Sequence, residues 1–359
     1  MADGPRVLHL ITDPRGRGAQ NLARDLHAEL LRRGAPSVLR ALQPHADAPP
    51  EHDAPVLGPS RHHPATLRAL RAAARQADVV VAHGSSTLQA CAVGLLGTGV
   101  PFVYVNIGDP RHWTASLSRR LRVGAFLHRA AAVSAISDGA RTVLLERFRL
   151  PARKVRTIPN GRAADAYRPA AGPAEREAER RGAREELGLP PQGPVVAWIG
   201  ALAPEKRLDL ALAAIDRLPG VHLAVAGDGP LGGSFPLTDR VHFLGRLADP
   251  GVLYRAADAL LLTSDSEGVP GVLIEAALAE LPAVATDVGW VGDVVLDGRT
   301  GALVRPGDPA ALAEALGRVL AGDRAALGAA ARAHALARFD LAVVTDSWQH
   351  LLSQVTPAR

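Results

Sequence analysis

Short apolar runs alternate with longer amphipathic stretches along most of the chain, in two successive series. In the first half, residues 6–12, 37–42, 78–83, 101–107, 132–137 and 154–158 have the length and composition of strands. Helical periods lie between them, as in residues 19–33, where Leu22, Leu26, Leu30 and Leu31 fall on one face. The second half repeats the theme, with strand-like runs at 194–200, 221–227, 241–245, 259–263, 283–287 and 302–304. Helices are expected there at 207–217 and 275–280. The apolar runs are nearly continuous, which predicts parallel strands covered by helices on both faces.

The joints between these series predict the domain plan. Residues 162–193 are rich in Ala, Arg, Glu, Pro and Gly and read as a linker followed by a charged, solvated helix at 175–187. Residues 340–356 are amphipathic, with Leu341, Val344, Trp348, Leu351 and Leu352 as the apolar set. The predicted class is α/β, with two Rossmann-like domains facing across a cleft. The first spans 1–160, the linker and charged helix 161–193, and the second 194–339. A C-terminal helix at 340–359 is expected to return to the first domain. In such sheets ligands bind beyond the carboxyl ends of the strands.

Composition refines this picture. A chain of 359 residues with 47% hydrophobic content is long enough for two cores and too apolar for disorder. The single cysteine, Cys91, lies in an apolar helical run and reads as a packing residue, in a reducing compartment. Residues 79–108 contain no charged side chain, but the glycines, His83 and Pro101 within them favour strand–helix–strand over a membrane span. The first residues are small and polar and lead directly into a strand, so no signal peptide is expected and the location is read as cytoplasmic. A net charge of +5, carried by arginine, suits a phosphate-bearing substrate or an anionic membrane surface. With no zinc spacing and no aromatic-interleaved basic strand, nucleic acid is not expected as a partner.

The most informative segment is Ser264-Asp265-Ser266-Glu267-Gly268-Val269-Pro270-Gly271-Val272-Leu273-Ile274-Glu275. It follows a buried strand and opens a helix through a Gly-Val-Pro-Gly turn. Backbone N–H groups and the helix dipole converge there on an anion site. Glu267 precedes that site and Glu275 stands eight positions later, inside the helix. This arrangement suits a ligand that carries both phosphate and hydroxyls.

The segment strongly resembles the paired-glutamate motif of the retaining family-4 glycosyltransferases. The resemblance extends over most of the chain. It includes Val196-Ala197-Trp198-Ile199-Gly200 with Pro204-Glu205-Lys206, Val225-Ala226-Gly227-Asp228-Gly229-Pro230, and Val241-His242-Phe243-Leu244-Gly245. It also includes Ile158-Pro159-Asn160-Gly161, Asp78-Val79-Val80-Val81-Ala82-His83 and Ala135-Ile136-Ser137-Asp138. What the resemblance implies is a GT-B enzyme that uses a nucleotide-diphosphate sugar, UDP- or GDP-linked, without metal or other cofactor, and acts on a hydroxyl acceptor.

By the same resemblance, Glu275 would hydrogen-bond the ribose, Glu267 the donor sugar, and Lys206 the diphosphate. The turn Gly268, Val269, Pro270, Gly271 and Val272 would hold sugar and diphosphate through its backbone. His83 is a catalytic candidate, and Gly18, Arg207 and Arg246 are donor-side candidates. Arg17, Asn106 and Asp109 are candidates on the acceptor side.

Two departures stand out. The family has an arginine where this chain has Ala201, so Arg17 or Arg207 is expected to supply the missing charge. The family's double glycine in the first loop is here Arg17-Gly18, and Arg17 either reaches into the cleft or lies on the surface.

Gly227-Asp228-Gly229-Pro230-Leu231-Gly232 fits a dinucleotide fingerprint, but Pro230 and the lack of an acidic residue after the next strand argue against NAD. The stretch from Arg111 to Arg129 is basic with interleaved Leu117, Leu121, Val123, Phe126 and Leu127. It is read either as a solvated helix face or as a contact with anionic membrane. Rival functions on the same fold are a nucleotide-sugar epimerase and a non-catalytic nucleotide-sugar sensor.

Overall fold

The structure is a computed structural model that describes residues 4–16, 18–45, 53–114, 116–236 and 238–356. The chain divides into two compact units, Met1–Gly161 with Phe339–Arg359, and Arg162–Arg338.

The first unit holds strands β1 (Val7–Ile11), β2 (Ser37–Ala41), β3 (Val79–His83), β4 (Phe102–Asn106), β5 (Ala132–Ala135) and β6 (Val155–Thr157). They form one parallel sheet in the order β2-β1-β3-β4-β5-β6. Every residue of β1, β3 and β4 is buried, whereas β2 at the edge alternates. That contrast follows from helices on both faces of the inner strands. The helices are α1 (Gly18–Arg32), α2 (Pro64–Ala74), α3 (Ser85–Gly94), α4 (Pro110–Trp113), α5 (Leu117–Arg129) and α6 (Asp138–Phe148). The uncharged stretch 79–108 is thus β3, α3 and β4. Among the described residues, no helix is long and apolar enough to cross a membrane. Cys91 on α3 is fully buried, and burial pushes its thiol pKa upward.

The second unit holds α7 (Pro173–Glu186), β7 (Val195–Ile199), α8 (Leu208–Asp216), β8 (His222–Ala226), β9 (Val241–Gly245), α9 (Gly251–Ala256) and β10 (Ala259–Leu262). It continues with α10 (Gly271–Leu278), β11 (Ala283–Thr286), β12 (Gly301–Val304), α11 (Pro309–Ala321) and α12 (Arg324–Phe339). Its parallel sheet runs β12-β11-β10-β7-β8-β9. Valines and leucines of β7, β8 and β10 pack there with Leu208, Ala211 and Ile215 of α8 and with Leu312 and Leu316 of α11. The helix expected at 275–280 shifts at both ends, to Gly271–Leu278. α10 begins at Gly271 rather than at residue 275, so Glu275 stands in its second turn.

The last helix, α13 (Leu341–Val355), belongs to the first unit. Trp348 is fully buried, and with Val344, Leu351 and Leu352 it packs on Leu22, Leu26 and Leu30 of α1. Arg33, just past α1, fastens the pair. Its Nη1 donates to Asp346 at 2.5 Å and to Gln349 at 2.8 Å, and its Nη2 donates to the Ala342 carbonyl.

Candidate active site

In the second unit the strand order reverses between β7 and β10, so the loops leaving their carboxyl ends open side by side. Lys206 arrives on the first of these loops, at the close of a 3-10 turn spanning Pro204–Lys206. Glu267 arrives on the second. The Lys206 Nζ lies 2.5 Å from Glu267 Oε1, and the same oxygen accepts from Ser264 Oγ at 2.7 Å.

Hydrogen bonds to the backbone hold this cluster in place. The Lys206 carbonyl accepts from Thr263 Oγ1, which in turn accepts from Trp198 Nε1. Asp265 N donates to the Glu205 carbonyl, and Thr286 Oγ1 to the Ser264 carbonyl. Both loops are therefore tied to each other and to the sheet.

The turn after Glu267 is braced by a close approach. At Gly289, where φ is +57°, an added Cβ would fall 1.9 Å from the Glu267 carbonyl oxygen. Trp290 N donates to the Gly268 carbonyl. Pro270 has no N–H, so the donors of the predicted anion-binding turn reduce to Gly268, Val269, Gly271 and Val272. At the start of α10 the first N–H groups have no intrahelical acceptor, which leaves a positive helix end beside the Lys206–Glu267 pair's own loop.

Glu275 is gripped from two sides. Arg162 Nε donates to its Oε1 at 2.6 Å and the Tyr254 hydroxyl to its Oε2 at 2.8 Å. The Arg162 and Glu275 side chains are only 10% and 12% exposed. Sequence reasoning missed both partners, as it missed Ser264 as a ligand of Glu267. The available signals were an arginine immediately after Asn160-Gly161 and a tyrosine on the helix before β10.

The remaining donor-side candidates fall less centrally. Arg207, at φ +52°, forks onto Asp209 and also reaches Asp265 at 3.1 Å. Arg246 is exposed beyond β9. The glycines of the dinucleotide-like pattern answer to packing. A Cβ at Gly227 would lie 1.9 Å from the Gly200 carbonyl oxygen, and one at Gly229 would lie 2.6 Å from that of Leu202. They let the loop after β8 press against the loop after β7.

In the first unit the reversal lies between β1 and β3, and a cavity of about 480 Å³ opens at their carboxyl ends. Gly18, His83 and Asn106 line it together with Asp13, Gln20 and Arg61. Asn106 Nδ2 donates to the Gly108 carbonyl, while its buried Oδ1 has no partner. Asp109 is not part of this wall. It caps α4 through Arg111 N and clamps the Arg111 guanidinium. Arg17 lies outside the described residues. A Cβ at Gly18 would meet no atom within 4 Å, so the space there is open.

His83 is buried and paired with a residue that sequence reasoning had passed over. His9, on β1, places Nδ1 3.0 Å from His83 Nε2, and both rings are essentially inaccessible. A histidine inside an otherwise apolar strand was the visible signal. Burial depresses the pKa of His83 to about 3 and lowers that of His9, where the neighbouring His83 and His27 add to the effect. Both rings are thus neutral in the folded unit, whereas the unfolded chain takes up protons on them below about pH 6.5. Stability should therefore fall as pH drops from about 6.5 toward 3. A Tm measurably lower at pH 5 than at pH 7.5 is expected, with a smaller difference in His83→Gln. Equal Tm values for the wild type would show that the pair reaches solvent.

Residues 16–165 match the family description "Glycosyltransferase Family 4", and residues 193–322 match "Glycosyl transferases group 1". The chain belongs to the family-4 type of glycosyltransferases. It is 37% identical over 187 residues to a D-inositol 3-phosphate glycosyltransferase of Mycolicibacterium gilvum, covering 48% of this chain and 40% of that protein. It is 35% identical over 228 residues to the Mycobacterium bovis protein of that name, covering 58% and 45%. The chain spans less than half the length of these curated relatives.

Among solved structures, Anabaena HepE in complex with UDP-glucose superposes with a TM-score of 0.83 at 22% identity, over 98% of this chain and all of that one. Sucrose-phosphate synthase from Thermosynechococcus elongatus gives 0.81 at 22% identity, over 98% and 99%. These likenesses define the fold as GT-B, with two Rossmann-like units.

Proposed function

We propose that the protein transfers a glycosyl group from a nucleotide-diphosphate sugar to a hydroxyl acceptor, with retention of anomeric configuration and without a metal. The single observation that carries this reading is the donor-side constellation of the second unit. Lys206, Glu267 and Ser264 form one hydrogen-bonded cluster on the two loops at the sheet's reversal, followed directly by the start of α10 and Glu275. A departing nucleoside diphosphate gains negative charge, and a fixed ammonium with oriented peptide N–H groups stabilises that charge without reorganising. Glu267 would hold hydroxyls of the transferred sugar and Glu275 those of the ribose. These groups act by placement and charge more than by proton transfer.

The first unit's cavity, with the unpartnered Asn106 Oδ1, is proposed to receive the acceptor. UDP is the favoured nucleotide, because HepE was solved with UDP-glucose and with UDP. The named relatives make a phosphorylated cyclitol the first acceptor to try.

The test is incubation with UDP-, GDP-, ADP- and TDP-sugars, with and without that acceptor, following nucleotide release and product configuration by NMR. A retained glycosidic product or slow donor hydrolysis supports the reading. Epimer formation, or binding without turnover, replaces it with an epimerase or a sensor.

The same reading includes a cytoplasmic setting with peripheral contact at an anionic membrane face. On α5, Leu117 and Leu121 are 61% and 65% exposed, one turn apart and interleaved with Arg119, Arg120 and Arg122. Flotation with anionic but not neutral vesicles is expected, and equal recovery with both removes this part of the reading.

A further inference from the structure

Arg162 crosses the first turn of α10. A Cβ at Gly271 would fall 2.1 Å from its Nη2 and 3.0 Å from its Cζ, so the guanidinium occupies the space that the missing side chain leaves. From there its Nε donates to Glu275 Oε1. On the other side, Tyr254 is 3% exposed and donates to Oε2. Its ring meets Tyr167 edge-on, with centroids 5.8 Å apart. Each carboxylate oxygen has two lone-pair directions, so one donor on each leaves capacity on both oxygens for further donors. A carboxylate held this way presents two acceptors at a fixed spacing, which is what a vicinal diol requires.

We infer that Arg162 and Tyr254 are positioning residues that aim both oxygens of Glu275 at the two ribose hydroxyls of the donor nucleotide, and so set its preference for ribo- over 2′-deoxynucleotides. Gly271 is the third member of this device, because any side chain there displaces the arginine. The inference rests on the donor-site reading above and deepens it. A freely rotating glutamate could accept from one hydroxyl in many poses and would discriminate poorly. A glutamate fixed at both oxygens loses a matched hydrogen bond when one hydroxyl is absent.

The experiment measures binding of UDP and of 2′-deoxy-UDP by titration calorimetry to the wild type, Tyr254→Phe, Arg162→Gln and Gly271→Ala. The wild type is expected to favour UDP by about tenfold or more, the value of one hydrogen bond to a charged acceptor. In Tyr254→Phe, which keeps the ring against Tyr167, UDP binding should weaken while 2′-deoxy-UDP binding hardly changes, so the ratio collapses toward one. Arg162→Gln and Gly271→Ala should move the ratio in the same direction. With a turned-over sugar donor, the loss should appear in KM more than in kcat.

A lowered Tm in all three variants with the UDP preference intact would overturn the inference, because the contacts would then serve only the fold. Absence of UDP binding in the wild type, with another ribonucleoside diphosphate bound, moves the same comparison to that base. Absence of binding by every nucleoside diphosphate overturns the donor-site reading and the inference with it.

Discussion

Replacing Lys206 by alanine is expected to lower kcat/KM for any accepted nucleotide sugar by about 100- to 1000-fold, the usual cost of removing one preorganised charge-stabilising donor. The ammonium is placed by its own backbone. Lys206 N donates to the Ala203 carbonyl, and its carbonyl accepts from Thr263, so the side chain leaves a fixed point toward Glu267. A mobile surface lysine would give a small effect, because exposed pairs are worth little. Here the Lys206 side chain is 27% exposed and that of Glu267 only 10%.

Because Lys206 and Glu267 share a hydrogen bond, their effects should not add. Glu267→Gln alone should also reduce turnover strongly, and the double variant should be little worse than the poorer single one. Initial rates with saturating acceptor decide the matter. A Lys206→Ala enzyme within threefold of wild type would remove the donor site from this part of the fold.

The second large effect is on stability, at the amino end of β10 rather than at the carboxyl end that leads to Glu267. Asp258 sits just before β10 and collects three guanidiniums, with Arg184 at 2.8 Å and Arg180 at 3.0 Å, and Arg324 also bonded. Its Oδ2 additionally accepts from Val195 N at the start of β7. The carboxylate and Arg184 are 3% and 5% exposed. Burial lowers the pKa of Arg184, against the opposing pull of Asp258.

An Asp258→Ala variant strips the compensation from that buried cation and orphans a strand N–H. Breaking a buried pair on one side costs about 3–5 kcal/mol. For a unit of this size that corresponds to a Tm lower by roughly 10 °C. Arg180→Ala removes a more exposed partner, 34% accessible, and should cost under about 1 kcal/mol. Urea unfolding of the two variants separates these expectations. A loss below about 1 kcal/mol for Asp258→Ala would mean that water reaches Arg184 in the folded state.

Local pattern made much of this protein readable. Among the described residues, all twelve strands fall on the apolar runs of the sequence to within a residue, because the inner strands of a sheet covered on both faces need a nearly unbroken apolar segment. The C-terminal helix α13 follows from its own periodicity, and the charged helix α7 from its composition, although α7 is not solvated throughout, because Ala183 and Arg184 on it are buried. The turn between Glu267 and Glu275 was legible because a strand-to-helix turn is a local object, made by neighbours in sequence. The error at the start of α10 has a local cause too. Glycine at 271 speaks against a helix in sequence, but Pro270 precedes it as the N-cap and Arg162 fills its side-chain space.

What lay beyond reach was pairing at a distance. Arg162 and Glu275 are 113 positions apart, Lys206 and Glu267 are 61 apart, and His9 and His83 are 74 apart. Nothing in the pattern around His83 tells whether its ring lies in water or is buried against a second imidazole. Nothing around Ala201 tells which cation stands near the start of α10.

The sequence by itself determined the two parallel sheets, their order of elements and the paired-glutamate turn, since these depend on hydrophobic period and on residues close together in the chain. Only the tertiary structure decided which donors hold each carboxylate, because hydrogen bonds across a sheet reversal are made by loops that meet after folding and leave no period in the sequence.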